Sequence, residues 1–227
     1  MKIRFLLFLT CMALGTYTGL TQCSKYYPFK DGATLQYTLF DKKGKGDGQI
    51  DYTIHKTSDN GATLKTSLTD KKGRHVFTSD YGITCTGNGI SIDFQSLVPS
   101  HMVSQYEEMG VDMNIDGTDI ELPNELRVGQ ELNDAHVNVT INMAGMKMKK
   151  SVTTTGRKGE KKETISNPAG NFECYVISET NHTETMNMGQ AMTNRIWLSE
   201  GIGIIKQESY KKNGALLSRM ELSSLSL

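Results

Sequence analysis

The sequence predicts a mainly β protein, a single antiparallel sandwich or barrel that follows an export signal. Three observations carry this. Runs in which apolar residues alternate with polar ones recur along the chain. Turn clusters rich in Gly, Asn and Asp separate these runs about every 8 to 12 residues. Beyond the leader, a run with helical spacing stands out only once.

The leader comes first. Lys2 and Arg4 supply a positive start, and Phe5 to Leu14 form an apolar run interrupted only by Thr10 and Cys11. That run is half of the roughly 20 apolar residues a membrane-spanning helix needs. It passes into the small and polar stretch Gly15 to Thr21, so it reads as a cleaved signal peptide. The chain therefore divides into residues 1–22 as leader and residues 23–227 as one antiparallel β domain, and no linker or low-complexity segment splits the second part.

The strands follow in order. Thr34 to Asp41 alternates, with Leu35, Tyr37 and Leu39 on one face, and turns at Asp41-Lys42-Lys43-Gly44. Gln49 to Lys56 carries Ile50, Tyr52 and Ile54 at period two, and Asp59-Asn60-Gly61 is a strong hairpin signal. Ala62 to Leu68 leads to Asp70-Lys71-Lys72-Gly73, which repeats the first turn almost residue for residue. Val76, Phe77 and Tyr81 continue the meander, and Gly87-Asn88-Gly89 turns it into Ile90 to Phe94.

Leu97 to Met109 departs from this pattern. Pro99 can open a helix, with Met102, Val103, Tyr106 and Met109 on one face. Val111 to Ile115 alternates again, Ile120 to Leu122 ends at Pro123, and Val128-Gly129-Gln130 is read as opening the strand that continues at Val137 to Met143. Ser151 to Thr155 and Glu163 to Ser166 are read as strands on either side of a Gly- and Lys-rich turn around Arg157 to Lys161. Asn167-Pro168-Ala169-Gly170 turns into Phe172 to Ser178. Asn194 to Leu198 and Ile202 to Tyr210 come next, and Lys211-Lys212-Asn213-Gly214 makes the last hairpin, into Leu216 to Leu222.

Charge excludes one class of partner. Lys and Arg total 25 against 25 Asp and Glu, so no field that would draw in nucleic acid is expected. Lys147, Lys149, Lys150, Arg157, Lys158, Lys161 and Lys162 make a local basic stretch, read as solvated strand ends and a turn.

Three cysteines lie outside the leader: Cys23, Cys85 and Cys174. Leu20-Thr21-Gln22-Cys23 resembles a lipoprotein cleavage box, with Gln22 where a small residue is usual, so Cys23 is a candidate for lipidation and a membrane tether. If Cys23 is acylated, Cys85 and Cys174 remain as a candidate disulfide; the alternative is that both are buried small hydrophobes.

Methionine is the oddity of the composition. The chain has 12, clustered as Met143, Met146 and Met148 and as Met186, Met188 and Met192. On strands, Met146 and Met148 share one face, as do Met186 and Met188. Ordinary core, a pliable lining for an apolar ligand and a soft thioether site for copper stay open as readings. Trp197, ahead of Gly201 and Gly203, is either a sheet anchor or a stacking surface for a ligand. His55, His75, His101, His136 and His182 are scattered without zinc spacing. No Gly-x-Ser-x-Gly elbow exists, and neither catalytic residues, a metal nor a cofactor are expected.

Several segments together resemble a known family. They are Tyr26-Tyr27-Pro28-Phe29-Lys30-Asp31-Gly32, then Tyr37 with Asp41-Lys42-Lys43-Gly44-Lys45, and Asn167 to Tyr175. Trp197 with Gly201 to Lys206, and Tyr210 to Gly214, complete the set. In this order they resemble the TapB-like family of exported proteins of Gram-negative gut anaerobes, over nearly the whole mature chain. The resemblance implies an incomplete antiparallel β-barrel (half-barrel) with one short helical segment against its concave face, similar in outline to the periplasmic lipoprotein carriers LolA and LolB. It transfers no site residues.

The functional expectation is a non-enzymatic envelope module, exported to the periplasm or associated with the outer membrane, that holds a lipid or other apolar ligand. Met143, Met146, Met148, Met186, Met188 and Trp197 are its candidate contacts. The alternative is a structural or adhesive envelope component that binds a protein or glycan partner.

Overall fold

The computed structural model describes residues 23–94, 111–143, 146–185 and 188–227. Thirteen strands form one antiparallel sheet: β1 (Thr34–Asp41), β2 (Gly46–Ser58), β3 (Gly61–Asp70), β4 (His75–Cys85), β5 (Gly89–Ile92), β6 (Asp112–Thr118), β7 (Ile120–Pro123), β8 (Ala135–Met143), β9 (Met146–Asn167), β10 (Gly170–Thr185), β11 (Met188–Ser199), β12 (Gly203–Lys211) and β13 (Leu216–Ser226). Their order across the sheet is β6-β8-β9-β10-β11-β12-β13-β1-β2-β3-β4-β5-β7.

The two edge strands of that order, β6 and β7, are consecutive in the chain with only Asp119 between them. The first half of this segment pairs with β8 and the second half with β5. The sheet thus curls into a nearly closed barrel with one unsealed seam, the incomplete barrel that the family resemblance implied. Asp119 buttresses the crossover, accepting the Ser91 hydroxyl at 2.6 Å and the Phe94 amide at 3.1 Å. The helix expected over residues 97–109 lies outside the described residues, as does the leader.

Turn chemistry sets the hairpins. Asp41 Oδ1 accepts the amides of Lys43 and Lys45 at 2.8 and 3.0 Å, and Asp70 Oδ1 does the same for Lys72 and Arg74 at 2.8 and 3.0 Å. The residue that closes each loop is a glycine with φ of +74°. The two Asp-Lys-Lys-Gly turns are therefore one turn geometry used twice.

The main core fills the closed part of the barrel. Leu35 and Tyr37 from β1, Ala62 and Leu64 from β3, Ile83 from β4, Ile90 from β5, Ile205 from β12 and Leu222 from β13 are all buried. The segment before β1 plugs one end: Tyr26 and Tyr27 are buried in the same cluster, and Tyr26 meets Tyr175 edge to face at 6.3 Å. The Ser24 hydroxyl oxygen accepts the Tyr27 amide at 2.8 Å, and Asn124 Oδ1 accepts the Lys25 amide at 2.7 Å. Five residues past the expected cleavage point are thus bolted to the barrel end.

Two local readings are corrected. Val128 to Gln130 is a turn, not a strand start. Gly129 has φ +83°, and its amide donates to the Gly159 carbonyl at 2.7 Å. The Gly- and Lys-rich stretch around Arg157 to Lys161 is no turn either. It lies in the middle of β9, a strand of 22 residues. Its pairing with β10 slips between Val176 and Ile177 and again between Ser178 and Thr180, and Gly156 with φ +60° sits in the second slip. The glycines act as bulges that bend one long strand, where the sequence suggested a reversal of two short ones.

The disulfide is also placed differently. Cys85 is bonded to Cys23, with Cα atoms 5.4 Å apart, and Cys174 is a buried free thiol. The N-terminal plug brings Cys23 to the end of β4, whereas Cys174 lies inside β10 between Glu163 and Ser199. The sulfur a lipid thioether would need at Cys23 is occupied by this bond.

Candidate ligand-binding face

β8, β9, β10 and β11 run on past the closed barrel as two long hairpins. Register assigns their faces, because directly paired residues of antiparallel strands project to the same side. Met148 pairs with Ile141, which pairs with Met113; Val152 pairs with Val137 and with Thr183. Thr185 pairs with both Lys150 and Met188, and Asn181 with both Thr154 and Met192. Met113, Met146, Met148, Met188 and Met192 therefore belong to one face of this extension. Met143 is paired with Met146 in the same ladder.

The centre of that face is a second apolar cluster, separate from the main core. Val137, Val139 and Ile141 are buried in it, and Phe94, Val111, Met113, Ile115, Met148 and Val152 pack around them while only partly buried. Towards the hairpin tips the face opens, with Met146 63% and Met188 75% exposed. Of the expected contacts, Met146, Met148 and Met188 are brought to one face. Met186 and the side chain of Met143 lie outside the described residues.

Trp197 is elsewhere. Its cross-strand partners are Val176 and Lys206, and it is buried in the main core cluster. It lies three residues from Asn194 on β11, so the two project to opposite faces. Glu163 accepts the indole N–H at 2.7 Å, and the Lys206 ammonium sits 3.8 Å from the ring centroid. The anchor reading of Trp197 fits this environment. The indole hydrogen bond holds Glu163 below the usual carboxylate range, with burial opposing it.

A buried polar layer separates the two apolar clusters, and sequence reasoning missed it. Arg157, assigned to the solvated basic stretch, is 4% exposed. Its Nη1 donates to the Asn133 carbonyl at 2.7 Å and to the Glu121 carbonyl at 3.2 Å, and its Nε lies 3.5 Å from Glu179 Oε2. Asn194 Nδ2 donates to Glu179 Oε1 at 3.5 Å, and the Ser209 hydroxyl donates to Asn194 Oδ1 at 2.8 Å. Buried Thr154 lies on the same face, its Oγ1 without a hydrogen-bond partner. The signal available in the sequence was slight: Arg157 stands beside Lys158 between Gly156 and Gly159, and Glu179 stands between Ser178 and Thr180 just past the apolar Val176 and Ile177.

Burial pushes the Glu179 carboxyl above its ordinary range, against the pull of Arg157 and Asn194. Between the ordinary and the raised value, the folded state holds a proton that the unfolded chain has released. This group's contribution to stability is therefore full below the ordinary carboxyl range and is lost as pH rises through the raised value. Urea unfolding from about pH 4 to 8 should show this downward limb in the native chain and its absence in E179Q.

Comparison with known proteins gives the fold a context. A family model described as DUF3108-like matches residues 30–222. Two crystal structures are similar over nearly the whole chain. An exported protein with a YmcC-like fold from Bacteroides fragilis is 18% identical, covers 90% of this chain and 100% of its own, and gives a TM-score of 0.69. A lipoprotein from Parabacteroides distasonis is 22% identical, covers 89% and 99%, and gives 0.67. At these identities the likeness is one of fold. No curated protein matches the chain.

Proposed function

The chain belongs to the DUF3108-like family, and from that premise we propose that it is a non-enzymatic binding module of the cell envelope. Its ligand is a lipid acyl chain or similar apolar group, held on the methionine-bearing face of the long hairpins. The narrower TapB-like resemblance belongs to this reading, because it adds the comparison with envelope lipid carriers.

One observation carries the proposal: a second apolar cluster stands apart from the main core with most of its side chains only partly covered. A barrel that needed this surface for stability alone would merge it with the core. A polar layer built on Arg157, Glu179 and Asn194 divides them instead. Methionine suits such a lining, since an unbranched thioether adapts to chains of different length.

The test is a titration of the delipidated mature chain with cis-parinaric acid, followed by competition with saturated fatty acids of increasing length. Affinity should rise roughly threefold to fourfold per added methylene, as expected for about 0.8 kcal/mol per buried CH₂. M148D and V152D, which place a charge on this face, should each weaken the probe at least tenfold, on the order of the cost of burying an unpaired carboxylate. W197F should leave binding unchanged. Absence of probe binding, or full affinity in both charged variants, would overturn the proposal.

A further inference from the structure

The net charge of zero hides a strong asymmetry between the two ends of the barrel. Three hairpins that are neighbours in the sheet, β12–β13, β1–β2 and β3–β4, turn at the same end. Each turn carries two adjacent exposed lysines: Lys211 and Lys212, Lys42 and Lys43, Lys71 and Lys72. None of these six makes an ion pair among the described residues. The acids within the turns, Asp41 and Asp70, are engaged by turn amides, and Asp70 is also paired with Arg74 at 2.7 Å.

The opposite end is neutralised. There Lys25 pairs with Glu200 at 3.1 Å and Lys56 with Asp59 at 2.9 Å. Of the five exposed large apolar side chains among the described residues, three lie at the basic end, while Val128 and Leu227 lie elsewhere. Val76, just past the β3–β4 turn, is 53% exposed, and Met146 and Met188 begin the strands that leave the two long hairpin tips. Those tips point the same way as the lysine turns, because Met192 on β11 pairs with Lys211 beside the β12–β13 turn. Lys147 and Lys149 add exposed cations next to Met146.

We propose that this lysine-rimmed end is a docking surface for an anionic phospholipid bilayer. Unpaired ammonium groups attract the phosphate layer, and each is worth roughly fivefold in binding near such a surface. Exposed methionines at the projecting tips supply the apolar contact that an interfacial site combines with charge. A protein partner would favour a flatter and more mixed surface with aromatic anchors. Repeated lysine pairs on mobile stems suit a fluid array of phosphates. The lysine turns lie apart from the acyl-binding face, and the two surfaces share Met146 and Met188 at the hairpin tips.

The experiment is flotation of the mature, oxidised chain with phosphatidylcholine vesicles, with and without phosphatidylglycerol. Binding is expected only with phosphatidylglycerol, and it should fall steeply as salt is raised towards about 1 M, where the screening length is ~3 Å. A variant with Lys42, Lys43, Lys71, Lys72, Lys211 and Lys212 all changed to Gln should lose on the order of a hundredfold or more, the worth of three seated lysines. Its far-ultraviolet spectrum and urea midpoint should match the native chain, since all six side chains are exposed at or beside the turns. K30Q/R127Q, at the other end, should bind as the native chain does. M148D should still float, which separates this surface from the ligand face.

Equal binding to neutral vesicles, or native affinity in the six-lysine variant, would overturn the proposal. So would soluble polyglutamate binding as tightly as the vesicles, because that would make the end a general anion contact.

Discussion

Arg157→Met is expected to cost about 3–5 kcal/mol of unfolding free energy, the usual range when one partner of a buried ion pair is removed. The substitution keeps the length of the side chain and removes its donors. Three groups then lose a partner at once: the carbonyls of Glu121 and Asn133, and the Glu179 carboxylate, which keeps only Asn194. Glu121 matters because it belongs to β7, the short edge strand at the seam. β7 has a ladder only with β5; on its other side the Arg157 guanidinium and the Asn133 amide, which donates to Glu121 Oε2 at 2.6 Å, take the place of a neighbouring strand. Amide exchange in β7 should therefore accelerate before the rest of the sheet loosens. The double variant R157M/E179L should recover much of the loss, since an apolar pair leaves no buried charge behind. If R157M and R157M/E179L unfold at the same urea concentration, the pair does not couple and the seam is held by something else.

That residue also marks where the sequence stops being legible. The hairpins could be read because their turns are local chemistry: Asp-Lys-Lys-Gly supplies its own acceptors and a glycine for the positive φ, whatever surrounds it. Strand faces could be read wherever one side is buried, as at Leu35 and Tyr37. Arg157 could not be read, because its burial depends on bulges in a strand whose flanking glycines suggest a reversal, and on a Glu that is 22 residues away in sequence. The seam was equally hidden. Only Asp119 separates the strands that form the two edges of the sheet, and no local signal tells a chain to bond left over one stretch and right over the next.

The candidate face was half legible. Alternation placed Met146 with Met148, but the addition of Met113, Met188 and Met192 needed the register of four ladders. Trp197 was the opposite case. An isolated large aromatic invites a ligand role, yet it is buried, its N–H is satisfied by Glu163 and its ring is covered by Lys206. Side chains that bind ligands keep some surface uncommitted, and Trp197 keeps almost none. The methionine clusters differ from it in keeping exposed apolar surface at the hairpin tips, at Met146 and Met188, which burial in a core does not account for.

The second large effect is expected from Cys85→Ser, at about 4 kcal/mol for a cross-link that closes a loop of 62 residues. The bond joins the N-terminal plug to the end of β4, so its loss frees the segment from Cys23 to Tyr27 as well as the unfolded ensemble. Cys174→Ser is the control and should change little, since that thiol bonds to nothing covalently. Thiol labelling separates the two before any unfolding experiment. In the native oxidised chain no thiol should react quickly, because Cys174 is buried and its pKa is pushed up to about 11 by that burial. Unfolding without reductant should release one reactive thiol, and reduction should release three. The intact mass should lie about two daltons below the fully reduced value, with no acyl increment. A mature chain carrying a diacylglyceryl group on Cys23 would instead show two thiols without reduction. It would also tether the molecule by the end opposite the lysine turns, so the state of this one sulfur decides which end of the barrel meets the membrane.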